Sequence, residues 1–113
     1  MDVRRSNEAI EYKNSGACLA YEYELPSDSV NAAVIELAGR YPDEGWALNT
    51  ACTSLVHIVK GNGTISTAQT KEDLSTDDQV LLMPNEKYFF DGNMKLLYIA
   101  SPAWTTEQAE HVK

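Results

Sequence analysis

The chain has 113 residues, enough for one hydrophobic core and too few for two. Its net charge of −8, with 9 Lys and Arg scattered along the chain, excludes the clustered basic surface that nucleic acid requires. No unbroken apolar run is long enough for a membrane span, so neither nucleic acid nor membrane is an expected partner.

The first residues, Met1 to Glu8, lack the apolar segment of a secretory signal, and a cytoplasmic location is expected. Cys18 and Cys52 have no C-x-x-C spacing and read as reduced thiols. The dominant period is two. Ala17 to Leu25 alternates and stops at Pro26, which has no N–H for a strand ladder. Ala32 to Ala38 fits helix or strand on pattern alone; its β-branched pair, Val34 and Ile35, favours a strand. Trp46 to Asn49 opens another. Leu55 to Lys60 is a strong strand, and the following Asn62-Gly63 is the dipeptide of a type I′ hairpin turn. Thr64 to Ala68 returns from it as a polar, half-exposed strand. Val80-Leu81-Leu82-Met83 is continuously apolar and predicts burial on both faces. Tyr88 to Phe90 and Lys95 to Ala100 are expected to pair across Asp91-Gly92. Thr105 to His111 predicts a short capped helix with a frayed end. Many short strands with turn signals between them define an all-β sandwich or barrel.

Two stretches give this pattern a family likeness. Ser54 to Gly63 matches the end of a signature of the form E-x-x-Y-V-L-E-G-x-G, and Asp77 to Asn93 follows the spacing of G-D-x-x-x-I-P-x-G-x-x-H-x-x-x-N. The chain thus resembles the cupins over about residues 32 to 101, with Gly61, Gly63, Asp78, Pro84 and Asn93 at turn and frame positions. The resemblance implies a jelly-roll β-barrel forming a single domain over residues 1–113: a strand arm to about 30, the barrel core 32–101, and a tail 102–113.

The same resemblance implies a metal site, and here the ligands are missing. Ser54 stands for the glutamate and Phe89 for the second-signature histidine; residues 47–52 contain no histidine pair. A divalent ion needs three or four imidazole or carboxylate groups converging on one point. His57 lies three residues from Ser54, so alternation sends it to the opposite face, and His111 belongs to the polar tail. No metal and no cofactor is expected, and Phe89 is expected to fill the metal's space.

The pocket candidates are Asn49, Cys52, Ser54, Val56 and Phe89. Ser54 has no imidazole on its face to make it a nucleophile and reads as a small residue closing space. Cys52 lacks an adjacent cation and reads as an inert core thiol. Asn49 fits a ligand-binding amide and a turn equally. The acidic group Glu72, Asp73, Asp77 and Asp78 lacks calcium-loop spacing and reads as a solvated loop.

The expected function is a metal-free, non-catalytic module that binds a small polar or carbohydrate-like molecule or a protein partner. The alternative is a metal-independent sugar or sugar-nucleotide isomerase or epimerase, for which Tyr88, Tyr98 and His57 are the available acid–base groups. A homodimer is expected, formed through the N-terminal strand with Tyr21 and Tyr23 on one face.

Overall fold

The computed structural model covers residues 1–113 and contains nine strands. They are β1 (Ile10–Ser15), β2 (Cys18–Glu22), β3 (Asn31–Ala38), β4 (Trp46–Asn49) and β5 (Thr53–Thr67). β6 (Lys71–Ser75), β7 (Gln79–Leu82), β8 (Tyr88–Ser101) and β9 (Ala109–Val112) complete the set, with single 3-10 turns at Ser6–Glu8 and Thr106–Gln108. No helix is long and apolar enough to cross a membrane.

β5 and β8 form the frame. They pair antiparallel along their whole length, from Thr53 opposite Ser101 to Thr67 opposite Tyr88. Each then serves two neighbours on its other edge. β8 takes β3 along Asn93 to Ala100 and meets β4 where Ala47 faces Tyr88. β5 takes β7 along Ser54 to His57 and β6 along Asn62 to Ser66. The sheet therefore curls into two halves, β1-β2-β3-β8-β5-β7 and β9-β4-β8-β5-β6, that share the central pair. Val56, Ile58 and Leu96 from that pair meet Leu37 of one half and Leu74 of the other in a single core. The result is a jelly-roll β-barrel.

Neither predicted hairpin turn exists. Asn62-Gly63 and Asp91-Gly92 lie inside β5 and β8 and face each other, Gly63 opposite Gly92 and Asn62 opposite Asn93. The same backbone freedom that makes a type I′ turn here lets two long strands bend from one half-sheet into the other. Gly61 and Gly92 have φ of 101° and 134°, and the register slips between Ile58 and Lys60. A Cβ on Gly61 would sit 2.1 Å from the Asn93 carbonyl oxygen. The tight connections fall elsewhere, with Asp77 (φ 72°) between β6 and β7 and Asn85 (φ 67°) between β7 and β8.

Two further expectations are corrected. Val80 to Met83 is not buried on both faces: β7 is an edge strand paired only with β5, so Leu82 is buried while Leu81 and Met83 are 59% and 52% exposed. The tail is not a helix. The Gln108 side chain accepts the Thr105 N–H at 3.0 Å and closes one turn, after which β9 pairs with β4 from Asn49–Ala109 to Trp46–Val112. The free edge of β4 offers ladder hydrogen bonds that a short helix with few apolar residues cannot match.

Candidate functional site

A cavity of about 100 Å³ lies inside the β1-β2-β3-β8 half of the barrel. Its space comes from small residues at inward positions. Cys18, Ala20 and Glu22 alternate on β2, and Ala20 and Glu22 face Ile35 and Ala33 on β3. The polar wall is supplied by Tyr41, between β3 and β4, and by Tyr88 and Tyr98 at opposite ends of β8. Trp104 closes the end beyond β8. Asn31 holds it there: its Oδ1 accepts the Trp104 N–H at 2.8 Å and its Nδ2 donates to the Trp104 carbonyl at 3.1 Å.

The three phenols stay protonated, and two of them, Tyr88 and Tyr98, are linked. The Tyr88 and Ser54 hydroxyls lie within donating reach of the Tyr98 oxygen. Burial holds Tyr88 well above the ordinary tyrosine range and raises Tyr98. Burial, with Cys18, Tyr98 and Asp43 nearby, pushes Tyr41 up to about 12. The Tyr41 hydroxyl lies 3.1 Å from His111 Nε2 on β9, which ties the outer rim to the cavity wall. Glu22 is the one carboxylate in the wall, and burial raises it above the usual carboxylate range. The Cys18 thiol is pushed up to about 11 by burial, against a weaker opposing effect of the Asn14 amide. Its thiolate is therefore scarce at neutral pH.

The cavity wall contains none of the five residues predicted for the pocket. Val56 is wholly buried in the core. Asn49 is a turn former: its Oδ1 accepts the Ala51 and Cys52 N–H groups at 2.8 and 2.7 Å. Cys52 Sγ lies 3.1 Å from the Pro102 carbonyl oxygen, and burial raises its thiol as well. Ser54 is buried, lies outside the cavity wall and hydrogen-bonds Tyr98. Phe89 does not fill the interior. Alternation along β8 turns Tyr88 and Phe90 inward and Phe89 outward, where the Trp46 ring packs against it at a tilt, centroids 5.3 Å apart, and the Arg40 guanidinium sits 3.9 Å from its centroid. His57 lies on the outer face as alternation predicts, 3.2 Å from Asp77 and 3.0 Å from Gln79.

The residues present do not suit a metal ion. No three His, Cys, Asp or Glu side chains come together anywhere in the chain, and the cavity wall offers only Glu22 and a protonated Cys18. Glu22, Tyr41, Asn31 and Trp104 were missed from the sequence. One signal for Glu22 was present, because Cys18, Ala20 and Glu22 share the parity of β2 that places small residues inward.

No family model matches the sequence, and neither does any curated protein. The barrel and its interior cavity define the class: the chain has the cupin fold. Among solved structures it is similar to the nucleoside dehydratase Pac13, with a TM-score of 0.89 at 15% identity over 100% of this chain and 92% of that one. A Streptomyces Pac13 variant with one histidine replaced by glutamine, solved with uridine, matches at TM-score 0.86 and 16% identity over 96% and 88% of the two chains. Ectoine synthase from P. lautus matches at TM-score 0.72 and 14% identity over 100% and 91%. At these identities the likeness shows the fold.

Proposed function

We propose that the barrel cavity binds a small polar molecule of sugar or nucleoside class without a metal ion. The observation that carries this reading is the convergence of Tyr41, Tyr88, Tyr98 and Glu22 on one interior space. Neutral phenols both donate and accept hydrogen bonds, and Glu22 adds a strong acceptor, which suits hydroxyl-bearing ligands. Size narrows the choice. An engineered cavity of about 150 Å³ takes benzene, so about 100 Å³ is too small to enclose a whole sugar or base, and most of such a ligand would lie in the open mouth. The uridine bound by the structurally similar Pac13 variants supports a nucleoside.

A second reading, a metal-independent acid–base enzyme, is favoured by Glu22. A carboxyl raised by burial, lining the same cavity as phenolic donors, is the kind of group that serves in acid–base chemistry. Here Glu22 takes or returns a proton while Tyr98 or Tyr88 hydrogen-bonds the oxygen that gains charge.

Calorimetric titration with uridine and with ribose tests the binding reading. Saturable binding that weakens about ten-fold in Tyr98→Phe supports it, one lost hydrogen bond in a buried site being worth roughly that factor. No binding of either compound refutes it. Recovering the ligand after incubation separates the two readings, since only the enzyme returns it chemically changed.

A further inference from the structure

We propose that His111 is a positioning residue for the barrel cavity, setting whether the Tyr41 hydroxyl accepts or donates a hydrogen bond there. Tyr41 stands between two spaces. It lines the interior cavity and also an outer groove of about 230 Å³ that holds His111, Asp43, Glu44 and Lys113. Backbone bonds fix both partners. The Tyr41 N–H donates to the Phe90 carbonyl at 2.8 Å and the Phe90 N–H to the Tyr41 carbonyl at 2.9 Å, while β9 places His111 opposite Ala47. The two rings meet edge to face with centroids 5.6 Å apart, and His111 Nε2 is the hydrogen-bond partner of the Tyr41 hydroxyl.

Protonation decides the direction of that bond. Tyr41 keeps its own proton, because burial pushes it up to about 12. A phenol is the stronger acid and a neutral imidazole nitrogen the stronger base. With neutral His111 the hydroxyl therefore donates to Nε2, and His111 carries its proton on Nδ1. The Tyr41 oxygen then offers the cavity lone pairs only. A charged His111 has a proton on Nε2 that donates to the Tyr41 oxygen, so the hydroxyl hydrogen turns to the cavity. The cavity gains a donor with a positive charge behind it. Cys18, Tyr88 and Tyr98 face Tyr41 from the cavity side and stay protonated, and Glu22 is the acid of that wall. In the groove Lys113 pairs with Glu44 at 3.4 Å, Asp43 carries the remaining negative charge, and Arg40 is turned to the Pro42 and Gly45 carbonyls. The consequence for a ligand rests on the reading of the cavity as a binding site; the direction of the bond does not.

Nitrogen-15 NMR of the two imidazoles in the unliganded protein tests the proposal, with His57→Ala assigning the signals. At about pH 8.5, two units above the ordinary histidine pKa, His111 is expected as the Nδ1–H tautomer. Tyr41→Phe is expected to shift it to the Nε2–H form that histidine favours in water. An Nε2–H tautomer in wild type, or one that Tyr41→Phe leaves unmoved, overturns the proposal. Uridine titration adds a functional arm in Glu22→Gln, which removes the titrating acid of the cavity wall. There the affinity is expected to rise about three-fold from about pH 8 to about pH 5.5, as a donor turns toward the carbonyl and ether oxygens of the ligand. His111→Gln in the same background keeps an acceptor for the phenol but cannot become charged, and affinity is expected to stay flat. No response in Glu22→Gln, or one that survives His111→Gln, overturns the proposal. Uridine that binds at no pH refutes the binding reading instead, and the tautomer measurement still decides the role of His111.

Discussion

Replacing Gly92 with alanine separates the crossing strands of the barrel from the hairpin turn that the sequence predicts. A Cβ there would lie 2.5 Å from Gly63 Cα and 2.6 Å from the Asn62 carbonyl oxygen, both backbone atoms of the paired strand. Neither can rotate away, so β5 and β8 must part at the point where they bend together. The backbone compounds the strain, because φ of +134° is a conformation that L side chains rarely adopt. Unfavourable dihedrals cost about 1–3 kcal/mol and overpacking a similar amount, so the loss is roughly 3–5 kcal/mol. At about 4 °C per kcal/mol for a domain of this size, the melting temperature falls by roughly 12–20 °C. Thermal unfolding followed by circular dichroism, with a urea midpoint as a second measure, reads this directly. Gly16→Ala is the control: nothing lies within 4 Å of its Cβ position, and its cost stays within ~0.5 kcal/mol. If Gly92→Ala melted within a few degrees of wild type, the two glycines would not face each other across a strand pair, and the frame described above would be wrong.

Glu22→Gln is expected to stabilise the fold above neutral pH and to change little below about pH 4. The sign follows from burial: a carboxyl raised in the folded state contributes its stability at low pH and loses it as pH rises through the folded value, whereas the amide does not titrate. Paired thermal melts across that range check it, and equal shifts at both ends would contradict it. Phe89→Ala is expected to leave uridine affinity within about two-fold while Tyr88→Phe lowers it, since only Tyr88 lines the cavity; isothermal titration compares them. Native protein is expected to react slowly with a thiol reagent such as dithionitrobenzoate, and unfolded protein fast, because both cysteines are buried and protonated. Rapid labelling of the native chain would refute that.

Strand positions were legible because alternation survives in a single sequence. Leu55 to Lys60 and Lys95 to Ala100 lie within β5 and β8, and parity placed His57 outside. Glycine was the source of the largest error. Asn62-Gly63 carries the same local signal whether the chain reverses or bends, and only the pairing of Gly63 with Gly92, distant in sequence, decides between them. Phe89 lies outside the cavity for a related reason. Counting from Pro84 to the family's histidine position reaches Phe89, whereas the strand itself turns Tyr88 inward, so a one-residue offset moved the candidate to the opposite face. Tyr41 and Trp104 come from irregular segments, where no periodicity assigns a face. Their places depend on partners far along the chain, His111 for one and Asn31 for the other.

Metal-independent binding in the tyrosine-lined cavity is tested most directly by titrating chelator-treated, isotope-labelled protein with uridine while its amide and aromatic resonances are followed. The expected result is saturable shifts centred on Tyr88, Tyr98, Glu22 and Trp104, unaltered when divalent metal is restored. Shifts that arise only after metal is added, or that centre on Phe89 and Trp46 outside the barrel, would contradict it.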